Sequence, residues 1–353
     1  MPDPTTLAPF PTQPTGVPYP TAAWPSSGPE VLNNLAGTRL TEHVDHVFTP
    51  EAAAAMGETS AVLVVRQGCL VLSRYATGID PAATFPSWSM CKTILAAAVG
   101  ILVRDGRLDL DEPVARPEWS DPADPRNLLT VRDLLHMKAS LAWAEEYSAD
   151  VPSDVVAMLF GDGATDMAAY TADKPLVGAP GTVYEYSSGT SNLLAWVFGK
   201  AFDHDPVRQL EFLQHELFEP IGITTALPKF DPVGTWIGST YCFATAEDFA
   251  RFGLLLLRGG RWDERQLLPA AFAEELRTPQ SDVHDDGWGY GLQSWTRPEA
   301  GGFFACKGYQ GQYIFLSPAH DTMVVRLGIS PEEVKKAAAD WTVALLELAC
   351  ALP

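Results

Sequence analysis

The segment Ser89-Met90-Cys91-Lys92, set directly ahead of the apolar run Ile94 to Val103, constrains this chain most. The run is too short to cross a bilayer. It reads as a helix of a globular fold from Ser89 to about Asp105, with Gly106 as its C-cap. Residues three apart share a helix face, with Cβ atoms about 5–6 Å apart. The Lys92 amine is thereby placed to hydrogen-bond the Ser89 hydroxyl and to stabilise its negative charge as the proton leaves. The helix N-terminus adds exposed N–H groups and a partial positive charge at the same spot. A Ser-x-x-Lys spacing turns up about once by chance in a chain of this length and ordinary composition, so its surroundings must decide.

A length of 353 residues points to about two domains. The net charge of −20 argues against nucleic acid and anionic membranes as partners and reads as a solubilising surface. Cysteines 69, 91, 242, 306 and 350 are scattered without metal-ligand spacing. They read as reduced, mostly buried thiols, which fits a cytoplasmic protein. The first basic residue is Arg39, so no secretory leader is read in the early residues.

Residues 1–29 carry nine prolines and are expected to form an extended arm. Helix-compatible spacing begins with Glu30 to Phe48. Ala61 to Arg66 and Cys69 to Tyr75 are β-rich runs separated by Gln67-Gly68, a tight hairpin. Helical patterns follow over Pro152 to Phe160, Ser191 to Phe202 and Pro206 to Leu217. After an amphipathic helix that ends near Leu257 come short aromatic or β-branched runs. These are Trp288 to Trp295, Gly302 to Cys306, Gln312 to Leu316 and Thr322 to Leu327, spaced for an antiparallel meander. Pro331 to Leu352 closes the chain as a helix. The expected fold is α/β: an antiparallel sheet flanked by helices, built from residues 30–110 and 235–353, with an all-helical domain inserted at 111–234.

A serine nucleophile also needs a proton acceptor and an oxyanion hole. Pro180-Gly181-Thr182-Val183-Tyr184-Glu185-Tyr186-Ser187-Ser188 offers a phenol and a hydroxyl beside a turn, although tyrosines at turns more often pack. A tyrosine next to a lysine ammonium loses its proton more easily and can serve as base or acid. Cys306-Lys307-Gly308-Tyr309-Gln310-Gly311-Gln312 lies where one expected strand meets the next, and it can be a plain hairpin. Glycine there also suits the close approach of another backbone or a ligand.

Taken in order along the chain, these segments resemble the penicillin-recognising serine hydrolases. The branch is that shared by class C β-lactamases, D-alanyl-D-alanine peptidases, related esterases and, most similar in appearance, the 6-aminohexanoate-dimer hydrolases. Phe85-Pro86-Ser87-Trp88-Ser89-Met90-Cys91-Lys92 resembles the first motif of that family, and Leu108 to Pro113 its sequel. Thr130 to Met137 and Thr245 to Gly253 resemble two later helices. The resemblance implies Ser89 as acylated nucleophile, Lys92 as its activating partner and Tyr186 as proton carrier. It implies an oxyanion hole from the backbone N–H groups of Ser89 and Tyr309, with no metal or organic cofactor. Substrate contacts would come from Ser188, Cys306 and Gly308, and from the loop holding Glu145, Glu146 and Tyr147. The acids of that loop, with Asp150, could attract a substrate ammonium or simply be solvated.

Two departures stand out. The second motif ends in Ser188 where Asn is usual, and the third reads Cys306-Lys307-Gly308 where a basic residue usually leads, unless Lys307 takes that place. The implied activity is hydrolysis of a small-molecule substrate, either a linear amide resembling 6-aminohexanoate oligomers or a short carboxylic ester. The alternatives are a β-lactamase or D-alanyl-D-alanine peptidase, or a binding relative without catalysis.

Overall fold

The computed structural model describes residues 7–25, 38–147, 151–282, 287–298 and 301–352. Its frame is a seven-stranded antiparallel sheet of β1 (Glu58–Arg66), β2 (Cys69–Tyr75), β3 (Gly289–Tyr290), β4 (Trp295–Arg297), β5 (Phe303–Gly308), β6 (Gln312–Ser317) and β7 (Thr322–Ile329), in the order β2-β1-β7-β6-β5-β4-β3. The strand formed early in the chain thus pairs with the last one, β1 against β7 from Glu58↔Ile329 to Arg66↔Thr322. Gln67 and Gly68 both take positive φ, 49° and 75°, and close the β1–β2 hairpin with the twist that two-residue loops favour.

Both faces of the sheet are covered, which is why β1 reads as an unbroken Ala-Val-Leu-Val-Val rather than an alternation. Ala61, Leu63 and Val65 face one core and Val62 and Val64 the other. The second core is closed by α1 (Arg39–Val47), α2 (Pro50–Met56) and the C-terminal α11 (Lys335–Cys350). The first is closed by α3 (Met90–Arg104) and α9 (Ala246–Leu257). Every residue of α3 from Met90 to Leu102 is buried, as an all-round apolar helix requires.

Between these sheet elements lie α4 (Val131–Leu135), α5 (Asp154–Phe160), α6 (Met167–Ala172), α7 (Ser188–Lys200) and α8 (Pro206–Phe212). The remaining helix, α10 (Ala270–Arg277), precedes β3. No helix among the described residues is long and apolar enough to cross a membrane.

Three elements differ from expectation. The run Trp288 to Trp295 is two short strands because Gln293, at φ 51°, turns inward between them. Its amide donates to the Leu134 carbonyl and accepts from Ser191 Oγ, while its backbone carbonyl accepts from Thr93. The helix expected from Ser191 begins at Ser188, because Ser187 caps it through the Thr190 N–H. Of the expected Glu30 to Phe48 helix, residues 39–47 are helical and 30–37 lie outside the described residues.

Residues 7–25 lie against the sheet domain. Arg251 Nε donates to the Pro20 carbonyl and Trp262 Nε1 to Thr21 Oγ1, and the Phe10 ring lies under the Arg277 guanidinium.

Candidate active site

Ser89 stands at the N-cap position of α3, at the end of a tight approach, and its side chain makes no capping bond. The preceding Trp88 has φ 45°, a left-handed conformation that a bulky side chain takes only where its surroundings impose it. Those surroundings are the segment 239–242. Ser87 Oγ donates to the Thr240 carbonyl and accepts from the Cys242 N–H, and the Ser87 N–H donates to the Cys242 carbonyl. The donors expected at the start of α3 are mostly used: the N–H groups of Met90, Cys91 and Lys92 bond to the carbonyls of Ser87, Trp88 and Ser89. No backbone acceptor meets the Ser89 N–H itself among the described residues.

Lys92 Nζ stands 3.0 Å from Ser89 Oγ, as the three-residue spacing requires. It also donates to Ser188 Oγ at 2.9 Å and to the Ser239 carbonyl at 3.0 Å. Helix α7 supplies the first anchor and positions the second. Ser188 is on its first turn, and Asn192, one turn later, accepts the Ser239 N–H and fixes that carbonyl. Lys92 is fully buried, and desolvation pushes its pKa down to about 8, with the Glu145 carboxylate pulling the other way.

Ser188, expected as a substrate contact, is bonded within the protein. Its hydroxyl donates to Glu145 Oε1 at 2.5 Å, and its N–H donates to Glu145 Oε2 at 2.9 Å. Glu145 accepts two further bonds, from Trp143 Nε1 and the Tyr147 hydroxyl. With four donors on its carboxylate, Glu145 serves as an internal counter-charge rather than an anchor for a substrate ammonium. Glu146 is exposed, and Asp150 lies outside the described residues.

Tyr186 brings its ring to 5.0 Å from Lys92 Nζ, packed against Tyr290 and Trp295. The nearby ammonium does not ease loss of its proton. Burial first, and the Glu145 charge second, raise its pKa well above the usual phenol value. Tyr186 is thus held as a neutral phenol, and Lys92 is the neighbour whose proton is loosened.

At the third segment, a Cβ on Gly308 would lie 2.4 Å from the Ser87 carbonyl, so the end of β5 approaches the nucleophile loop as only glycine allows. Cys306 is not at the cleft. It is buried on the α3 face of the sheet, where desolvation raises its thiol to about 12. Lys307 sits over the indoles of Trp288 and Trp295, at 3.5 and 4.7 Å.

A cavity of about 240 Å³ opens at Ser89, lined by Trp88, Tyr147, Thr240, Tyr309 and the α5 residues Val155, Val156, Leu159 and Phe160. Tyr147 stacks on Tyr309 at 4.6 Å, and Trp88 meets the same ring edge-on at 5.5 Å. Sequence reasoning missed Ser239 and Asn192. Ser239 acts through its backbone carbonyl, which leaves no side-chain signal, and Asn192 looks like any polar residue of a helix.

A half-buried serine bonded to a buried lysine at a helix start, a neighbouring tyrosine and an antiparallel sheet beside the cleft define a serine hydrolase of penicillin-recognising type. A family model described as Beta-lactamase matches residues 44–349, and the chain belongs to that family. It is 26% identical to the 6-aminohexanoate-dimer hydrolase of Paenarthrobacter ureafaciens over 297 residues, 78% of this chain and 73% of that one. A solved structure from Bacillus anthracis, provisionally named as a 6-aminohexanoate-dimer hydrolase, is similar over 99% of this chain and 90% of its own, with TM-score 0.73 and 21% identity. A penicillin-binding protein from Bacillus halodurans is similar over 88% of this chain and all of its own, with TM-score 0.64 and 19% identity.

Proposed function

We propose that the protein hydrolyses short carboxylic esters or linear amides through an acyl-enzyme on Ser89. The observation that carries this reading is the 3.0 Å approach of a buried, pKa-lowered Lys92 to the serine hydroxyl. The Ser89 proton passes to neutral Lys92 as Oγ bonds to the substrate carbonyl carbon. The oxyanion takes hydrogen bonds from the N–H groups of Ser89 and Tyr309. Tyr186 protonates the departing alcohol or amine and recovers its proton from Lys92. Water then repeats the cycle on the ester, releasing the acid and restoring Ser89.

The third segment supports a neutral substrate over a β-lactam or peptide carboxylate. Its leading position is the core residue Cys306, and the Lys307 ammonium is directed at two indoles. The reading includes a cytoplasmic location, for which the core thiols Cys91, Cys242 and Cys306 speak.

The test is p-nitrophenol release from p-nitrophenyl acetate, with Ser89→Ala beside wild type. Loss of activity on the order of 10⁴-fold or more, with an acylated Ser89 seen by mass spectrometry, is expected. Equal activity in the two proteins would remove Ser89 as nucleophile.

A further inference from the structure

One wall of the cavity at Ser89 is α5, and all it contributes is hydrocarbon: Val155, Val156, Leu159 and Phe160. The rings of Trp88, Tyr147 and Tyr309 also line it, and among the described residues no charged side chain is part of the lining. Two of these positions are unusual for a surface helix. Val156 and Phe160 are 42% and 65% exposed, although a helix normally turns polar residues to water. The helix α5 docks through Val155, Met158 and Leu159, so the exposed pair is not needed for its docking.

The wall is held firmly. Ser153 caps α5, and the Asp154 carboxylate accepts from the Ala144 N–H, the Tyr170 hydroxyl and Lys174 Nζ. The Ala144 bond ties α5 to the loop that carries Glu145 and Tyr147, so the wall and the Tyr147 ring form one unit.

We propose, building on the acyl-transfer reading above, that the α5 wall sets specificity: it selects uncharged acyl groups with a linear aliphatic chain and rejects chains that end in an ammonium. Each methylene laid on the wall leaves water for hydrocarbon and raises kcat/KM, by about fourfold until the wall is covered. A terminal ammonium there loses hydration without gaining a partner. Glu145, bonded to the lining residue Tyr147, already accepts four hydrogen bonds.

The experiment compares kcat/KM for the p-nitrophenyl esters of acetate, butyrate, heptanoate and 6-aminohexanoate. The last two differ only in a methyl against an ammonium, which stays protonated at pH 7. Spontaneous hydrolysis is subtracted. Wild type should rise at least tenfold from acetate to heptanoate and prefer heptanoate to 6-aminohexanoate by at least fiftyfold. In Val156→Asp and, separately, Phe160→Asp that preference should fall at least tenfold. A ratio measured within one variant does not depend on how much of the preparation is folded. A flat chain-length profile, a preference near one, or a ratio unmoved in both variants overturns the proposal while Ser89-dependent acetate turnover keeps the acyl-transfer reading. Acetate turnover that is absent, or unchanged in Ser89→Ala, overturns that reading and the proposal with it.

Discussion

Lys92 Nζ donates to Ser188 Oγ at 2.9 Å, and the single Ser188 proton goes on to Glu145. The direction of these bonds matters. Ser188 can only accept from Lys92, and the Ser239 carbonyl can do nothing else. Two amine protons are thus turned away from Ser89, and in the neutral amine the lone pair is left facing the serine hydroxyl. The geometry orients the base before any substrate binds.

Activity should therefore follow the neutral form of Lys92. We expect kcat/KM to climb as pH rises through about 8 and then level off. In Glu145→Gln the counter-charge that holds the ammonium is gone, so the rise should move to lower pH, with a smaller plateau because Ser188 is less well oriented. A pH–rate profile of both proteins decides; a midpoint unmoved or raised in the variant would exclude Glu145 as the counter-charge.

Folding stability carries the same signature. The Lys92 pKa is lower folded than unfolded, so the unfolded chain binds more protons between about 8 and the usual lysine value near 10.4. Stability should rise with pH across that window in wild type and stay flatter in Lys92→Met, as urea melts at a series of pH values would show.

Tyr186→Phe should keep the fold, since the ring contacts with Tyr290 and Trp295 survive. It should cost about 10²–10⁴-fold in kcat through loss of the proton carrier. The loss should be larger for an anilide than for a p-nitrophenyl ester, whose leaving group hardly needs a proton. Equal losses on the two substrates would argue for a purely structural phenol.

Gly308→Ala tests the approach of β5 to the nucleophile loop. Gly308 has φ −121°, so its backbone would tolerate alanine. The obstacle is the Ser87 carbonyl, 2.4 Å from the new Cβ. We expect a destabilisation of about 1–3 kcal/mol, measured by urea melts, together with a fall in kcat. Wild-type values for both would show that the loop moves freely.

The arm should be part of the folded domain. Phe10 packs beneath Arg277 and edge-on to Phe304, and Arg258 Nε donates to Gln13 Oε1. Phe10→Ala should lower stability by about 1–3 kcal/mol, less than for a fully buried ring. An unchanged melting temperature would mean that the arm adds nothing to the core.

The sequence by itself determined what depends on neighbours along the chain. The Ser89–Lys92 contact follows from helix periodicity, the β1–β2 hairpin from Gln67-Gly68, and the meander from short β-branched and aromatic runs. Only the tertiary structure decided what depends on contacts distant in sequence. Glu145 became an internal counter-charge because α7 brings Ser188 to it, and Cys306 went to the core because strand alternation turned it toward α3. Tyr186 kept its proton because burial outweighs a nearby ammonium, and burial is a sum over many elements that no short motif encodes. Ser239 entered the site through a carbonyl, a group every residue carries, so its role comes from position alone.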